Sequence, residues 1–201
     1  MSSNLNYILL TYILEKIYSK PFSKILEDQI VNPTGLKNTY LKGKINTLNN
    51  EVLSYVFLNN QWELAPELDV SQALGAGAIT STPTDLVIFS NALFSGKLIS
   101  KNSLAKMQII KDHYGMGLIQ TPFYDKTGFG HTGGIDGFRS LFAYFPTGGI
   151  SFSYTSNGIN FNANDISIAI LSAVYNKPYE IPNFTTYELT NEDLDNYLGI
   201  Y

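Results

Sequence analysis

The residues best equipped for chemistry lie together in Gly130-His131-Thr132-Gly133-Gly134-Ile135-Asp136-Gly137-Phe138. An imidazole such as His131 can take up or release a proton near neutral pH. The Thr132 hydroxyl both donates and accepts hydrogen bonds. Gly133 and Gly134 carry no Cβ, so another backbone can lie alongside them. Amides exposed on such a strand can pair with an extended peptide, or face the negative charge that develops on a carbonyl oxygen under attack. Read alone, the run also fits a glycine-rich hairpin with one surface histidine, because short motifs recur by accident.

Other candidates are simpler. Arg139 could grip a carboxylate with two parallel hydrogen bonds, or face solvent as an ordinary strand residue. Ser103-Leu104-Ala105-Lys106 has the Ser-x-x-Lys spacing that places a hydroxyl and an amine on one helix face. We read it as a surface helix with Ser100 as its cap and Lys106 in solvent. His113 reads as a loop histidine. Two histidines far apart and no cysteine make no metal cluster, so no metal site and no cofactor are expected.

The elements that must position these residues are set by periodicity. Leu5, Ile8, Leu9, Tyr12, Ile13 and Ile17 recur at helical spacing, and a second helix is expected after Pro21. Asn32-Pro33-Thr34-Gly35 reads as a turn. Residues 40–72, polar and rich in asparagine, read as a long loop or irregular strands. The small residues of Gly75-Ala76-Gly77-Ala78 permit close backbone approach. Thr82-Pro83-Thr84-Asp85 opens a helix with a capping hydroxyl, a proline at the first position and a carboxylate three residues on. Gly96 closes it. Three strand-like runs come next, 129–135, 139–145 and 150–155, separated by Asp136-Gly137 and Thr147-Gly148-Gly149. A helix is expected over 165–175. Residues 178–201 read as a linker and the start of a following domain, with a capping box at Thr190-Asn191-Glu192-Asp193. A helical half and then an antiparallel meander make an α+β pattern, with the sheet flanked by helices.

Composition narrows the partners. The chain has 201 residues, 44 % apolar and 15 % charged, a globular balance with enough length for one core. Net charge is −4 and Arg139 is the single arginine, so no basic stripe exists to hold nucleic acid. No apolar run approaches the ~20 residues of a membrane-spanning helix.

Taken in order, these segments resemble the serine β-lactamase family, which includes class C β-lactamases, D-alanyl-D-alanine carboxypeptidases, penicillin-binding proteins and related esterases. Gly-His-Thr-Gly-Gly-x-x-Gly-Phe at 130–138 resembles the family's third motif. Residues 75–86 resemble its Gly-Gly, Ser-Thr, Asp-Leu segment, and Pro33-Thr34-Gly35-Leu36 its Pro-Leu-Gly-Met. Ser3-Asn4-Leu5-Asn6-Tyr7 resembles its second motif, Tyr-x-Asn. The resemblance spans most of residues 2–176. It implies that Asn4 hydrogen-bonds the substrate's amide carbonyl, and that His131 and Thr132 bind or polarise its carboxylate side. Thr132, Gly133 and Gly134 would then bind substrate, with the Gly134 N–H as half of an oxyanion hole. The implied substrate is a small molecule or peptide: a β-lactam, a D-Ala peptide or an ester.

Two departures limit the activity expected of this chain. The tyrosine of Tyr-x-Asn falls at Ser2, a poor base. The family's nucleophilic Ser-x-x-Lys lies before Tyr-x-Asn, and only three residues precede Asn4. We therefore expect a fragment of a serine hydrolase, incomplete at its N-terminus and inactive alone, from a periplasmic or extracellular parent. The domain division expected is 1–177 for the hydrolase part and 178–201 for the linker and the opening of the next domain. Strand 150–155 would then have a bare edge, and helices 5–17 and 165–175 would lack partners. A homo-oligomer, or a complementing N-terminal half, would cover them. Two other roles remain open: a non-catalytic peptide-binding module using the His131–Ile135 edge strand, and a structural half that completes a fold with a partner chain.

Overall fold

A computed structural model describes residues 4–181. The chain divides into two compact units, residues 1–160 and 161–201.

The first unit begins with helix α1 (Asn4–Tyr18). Its single buried residue is Thr11, and the reason is local. The Thr11 hydroxyl donates to the Tyr7 carbonyl at 3.0 Å and accepts from the Gly75 amide at 3.1 Å. A Cβ on Gly75 would collide with that hydroxyl. The small-residue segment thus lets the 3₁₀ turn Leu74–Ala76 press directly onto α1.

Helix α2 (Phe22–Leu26) starts after Pro21 and runs into a π-helical turn, Glu27–Val31, and then α3 (Asn32–Thr34). The turn expected at 32–35 is instead the last helical turn, with Gly35 in the left-handed conformation at φ 77° as its stop. Pro33 has no amide hydrogen for an α-helical bond, and the wider π turn falls just before it.

Residues 40–72 contain more order than their polarity implied. Strand β1 (Tyr40–Leu41) pairs with β4 (Ile79–Thr80). Strands β2 (Tyr55–Leu58) and β3 (Gln61–Leu64) form a hairpin. Asn59 and Asn60, both at positive φ, make its two-residue turn. A short helix α4 (Val70–Ala73) comes next, capped by Asp69.

Helix α5 (Pro83–Phe94) has the predicted cap, with Thr82 Oγ1 accepting from the Asp85 amide at 3.3 Å. The Asp85 carboxylate does something else. It is buried and accepts from the Lys37 and Asn38 amides and the Thr39 hydroxyl, the last two at 2.7 and 2.8 Å. Helix α6 (Lys101–Met107) is capped by Ser100.

Four antiparallel strands then form the main sheet: β5 (Ile119–Phe123), β6 (Lys126–Ile135), β7 (Phe138–Phe145) and β8 (Ile150–Ser156), in that spatial order. Helix α5 covers one face, where Phe89 meets Phe142 edge-on and Phe94 stacks on Tyr144. Among the described residues β8 is an edge, paired with β7 alone.

The described part of the second unit carries helix α7 (Ala163–Val174), capped by the Asn162 side chain. The capping box expected at 190–193 lies outside the described residues, as does most of 178–201.

Candidate functional site

The register of β6 creates the central feature. Its first half, residues 126–130, pairs with β5, ending at Ile119 opposite Gly130, and only Phe129 and Gly130 are paired on both sides. Its second half overruns β5. His131–Ile135 pair with β7 residues Phe138–Phe142, and no described strand occupies their other side. The expected edge strand is therefore an overhang: five residues of β6 that run past the end of β5 and pair with β7 alone. A Cβ on Gly130 would strike the Phe142 carbonyl, so glycine sets the close approach where the overhang begins.

Side chains alternate along this overhang. His131 lies opposite Phe142 on the face covered by α5. Thr132 and Gly134 point to the other face and are exposed. Arg139, opposite Gly134, lies across it and donates to the Phe138 carbonyl at 2.7 Å while remaining solvent-facing. The far end of the overhang is clamped. Asp136, in the left-handed turn at φ 52°, pairs with Lys42 at 3.0 Å and accepts from the Leu68 amide at 3.0 Å. The Gly137 amide donates to the buried Ser54 hydroxyl at 3.1 Å.

Around His131 the structure assembles a chain of hydrogen bonds. His131 Nδ1 lies 2.5 Å from the Thr132 carbonyl oxygen, and His131 Nε2 lies 2.6 Å from the Tyr114 hydroxyl. A carbonyl can only accept, so Nδ1 carries the hydrogen and donates. Nε2 of the neutral ring is then the acceptor, and the Tyr114 hydroxyl donates to it. The Tyr114 oxygen in turn lies 3.2 Å from the Tyr7 hydroxyl on α1. The Tyr114 and His131 rings meet edge-on with centroids 5.5 Å apart. Both phenols line an open cavity of about 730 Å³. Asn6 and Leu10 complete its α1 side, and Lys111 and Asp112 stand opposite.

Asn4 occupies the first turn of α1, exposed, three residues before Tyr7. Among the described residues no hydrogen bond joins its side chain to β6. Ser103 and Lys106 sit on α6, with the Ser103 hydroxyl exposed and 3.0 Å from the capping Ser100. His113 is an exposed loop residue at φ 66°. Among the described residues no cluster of histidine and acidic side chains could hold a metal ion. Sequence reasoning omits Tyr7 and Tyr114 as site residues. Tyr114 stands 17 residues before His131, and only the tight 111–117 turn, with Asp112 and His113 both left-handed, brings them together.

The beta-lactamase family model matches residues 1–176, nearly the whole described chain. The chain belongs to the beta-lactamase family. Among curated relatives it is 29 % identical over 183 residues to a protein described as a putative penicillin-binding protein, PbpX of Bacillus subtilis (strain 168), covering 89 % of this chain and 43 % of PbpX. Among solved structures, D-amino acid amidase from Ochrobactrum anthropi SV3, complexed with D-phenylalanine, superposes with a TM-score of 0.72 at 26 % identity, covering 86 % of this chain and 61 % of that one. The octameric penicillin-binding protein homologue from Pyrococcus abyssi shares the fold, with a TM-score of 0.73 at 20 % identity over 87 % of this chain and 42 % of that one. The chain thus spans less than two thirds of each. Its α+β architecture, an antiparallel sheet with flanking helices, is that of the β-lactamase/transpeptidase fold.

Proposed function

We propose that this chain supplies the substrate-facing part of a serine hydrolase that works through an acyl-enzyme. The overhang His131–Ile135 receives an extended acyl substrate as an added strand. Thr132 binds the substrate's carboxylate side and Gly133 leaves room for its backbone. The Gly134 amide contributes one donor to the developing oxyanion, and such a donor is worth about 3 kcal/mol of barrier. Asn4 reaches the substrate amide from the start of α1. The attacking hydroxyl comes from a part of the hydrolase outside this chain, so the chain alone binds without turning over. The observation that carries this reading is the edge at 131–135, which no described strand pairs on its outer side, beside the His131 imidazole. The relatives' names point to a penicillin or a D-amino acid amide as ligand.

The test is titration of the chain with benzylpenicillin, acyl-D-Ala-D-Ala and D-phenylalanine amide, monitored by amide chemical shifts. Shifts confined to 131–135 and lost in Thr132→Val support the reading. No binding by any of the three overturns it. A covalent adduct on Ser103 would overturn the assignment of the nucleophile.

A second reading is favoured by the same edge and by the exposed position of Ser103, which bonds its own helix cap Ser100. The chain would be a peptide-binding module that captures a strand without cleaving it. Hydrolysis by the chain together with the remaining part of a full-length relative, supplied as a separate polypeptide, separates the two.

A further inference from the structure

Tyr114 is an unassigned residue with unusually specific surroundings, and we infer that it is the proton-transfer group of this site, with His131 as the acceptor of its proton. The inference rests on the hydrolase reading and adds the acid–base component. Three observations carry it. The Tyr114 hydroxyl lies 2.6 Å from His131 Nε2, a short bond for a neutral donor and acceptor. The contact of Nδ1 with the Thr132 carbonyl leaves Nε2 as a lone-pair site. Tyr114 and Tyr7, whose hydroxyls are 3.2 Å apart, both line the cavity that a ligand would enter.

In the step itself, an incoming hydroxyl, from a serine or a water molecule, gives its proton to the Tyr114 oxygen. The phenol's own proton passes to His131 Nε2. The hydroxyl oxygen bonds to the acyl carbon, and the carbonyl pair moves onto oxygen. The imidazolium formed offsets that negative charge. On collapse the carbon–nitrogen or carbon–oxygen bond to the leaving group breaks, and the leaving group takes the proton back through Tyr114. Tyr7 is a positioning residue. Its hydroxyl holds the Tyr114 oxygen at 3.2 Å, and its backbone is fixed through Thr11 to Gly75. The other charged groups lining the cavity are Lys111 and Asp112.

An arylsulfonyl fluoride tests this without any substrate. Its S–F bond breaks as the phenol oxygen bonds to sulfur; fluoride leaves and the phenol proton goes to Nε2. Labelling at each tyrosine is read by peptide mass spectrometry on the full chain. Tyr12 and Tyr179, both about half exposed, serve as reference phenols. General-base assistance predicts Tyr114 labelling at least about tenfold faster than either. His131→Phe brings Tyr114 to within about twofold of the reference. His131→Asn serves as the second variant, and circular dichroism confirms that both fold. A Tyr114 rate equal to Tyr12 in the wild type, or an enhancement that survives in either folded variant, overturns the assignment. Loss of ligand binding with fast Tyr114 labelling intact would sink the hydrolase reading and leave the activated phenol standing.

Discussion

Single side chains settle several questions that residue type left open. Asp85 is legible as a helix-start carboxylate, yet its buried oxygens serve a different segment, holding Lys37, Asn38 and Thr39. Asp85→Ala strands the Lys37 and Asn38 amides and leaves the Thr39 hydroxyl with Ser81 alone, and urea unfolding is expected to show a loss of about 3 kcal/mol. Tyr40 gives a pH test. Its hydroxyl donates to Glu51 at 2.6 Å, and that bond, aided by burial and the carboxylate's charge, pushes the phenol up to about 12. The same bond, with the Asn46 amide, holds the Glu51 carboxyl below its usual range. The raised phenol favours the folded state below the unfolded value of about 10 and loses that favour as pH climbs through its folded value. The lowered carboxyl favours folding above about 4.3 and loses it as pH falls through its folded value. A titration at 295 nm should show a late phenol component, which Glu51→Gln moves to lower pH.

At the level of elements, the strands around the Thr-Gly-Gly run are legible because glycine turns and alternating side chains mark them. Strand β5 is not, since Tyr124, not glycine, takes the left-handed turn to β6 at φ 50°. The β2–β3 hairpin hides in a polar stretch because asparagines replace the usual Asn-Gly. Partners of the site were least legible. Tyr7, Tyr114 and His131 come from a helix, a tight turn and a strand, and their meeting depends on tertiary packing that spacing does not encode. The clamp on the β6–β7 turn belongs to this scale. Lys42 and Asp136 side chains are 9 % and 5 % exposed, so losing one charge leaves the other buried without a counter-charge. Asp136→Asn keeps a residue tolerant of the left-handed turn. It should cost about 3 kcal/mol in chemical unfolding and broaden the amide signals of 131–135. Lys42→Met in that background should recover part of the loss.

For the molecule as a whole, the apolar stripe on α1 is the main unfinished surface. Leu5, Leu9, Ile13 and Ile17 recur every fourth residue and are 51–70 % exposed. With the open β8 edge, they offer the chain a way to associate. We expect light scattering after size-exclusion chromatography to report an oligomer at tens of micromolar, and Leu9→Glu with Ile13→Glu to yield a monomer. A monomeric wild type would remove the oligomer from the proposed partners and leave a complementing segment.

The stagger between β5 and β6 also acts as a ruler. Five residues of backbone lie past the end of β5, and at about 3.4 Å each they offer roughly 17 Å of contact. Lengthening a bound peptide one residue at a time should therefore tighten binding up to about five residues and add little afterwards. Extending β5 by two residues past Ile119 should shorten that limit by the same two, making ligand length a property of the neighbouring strand.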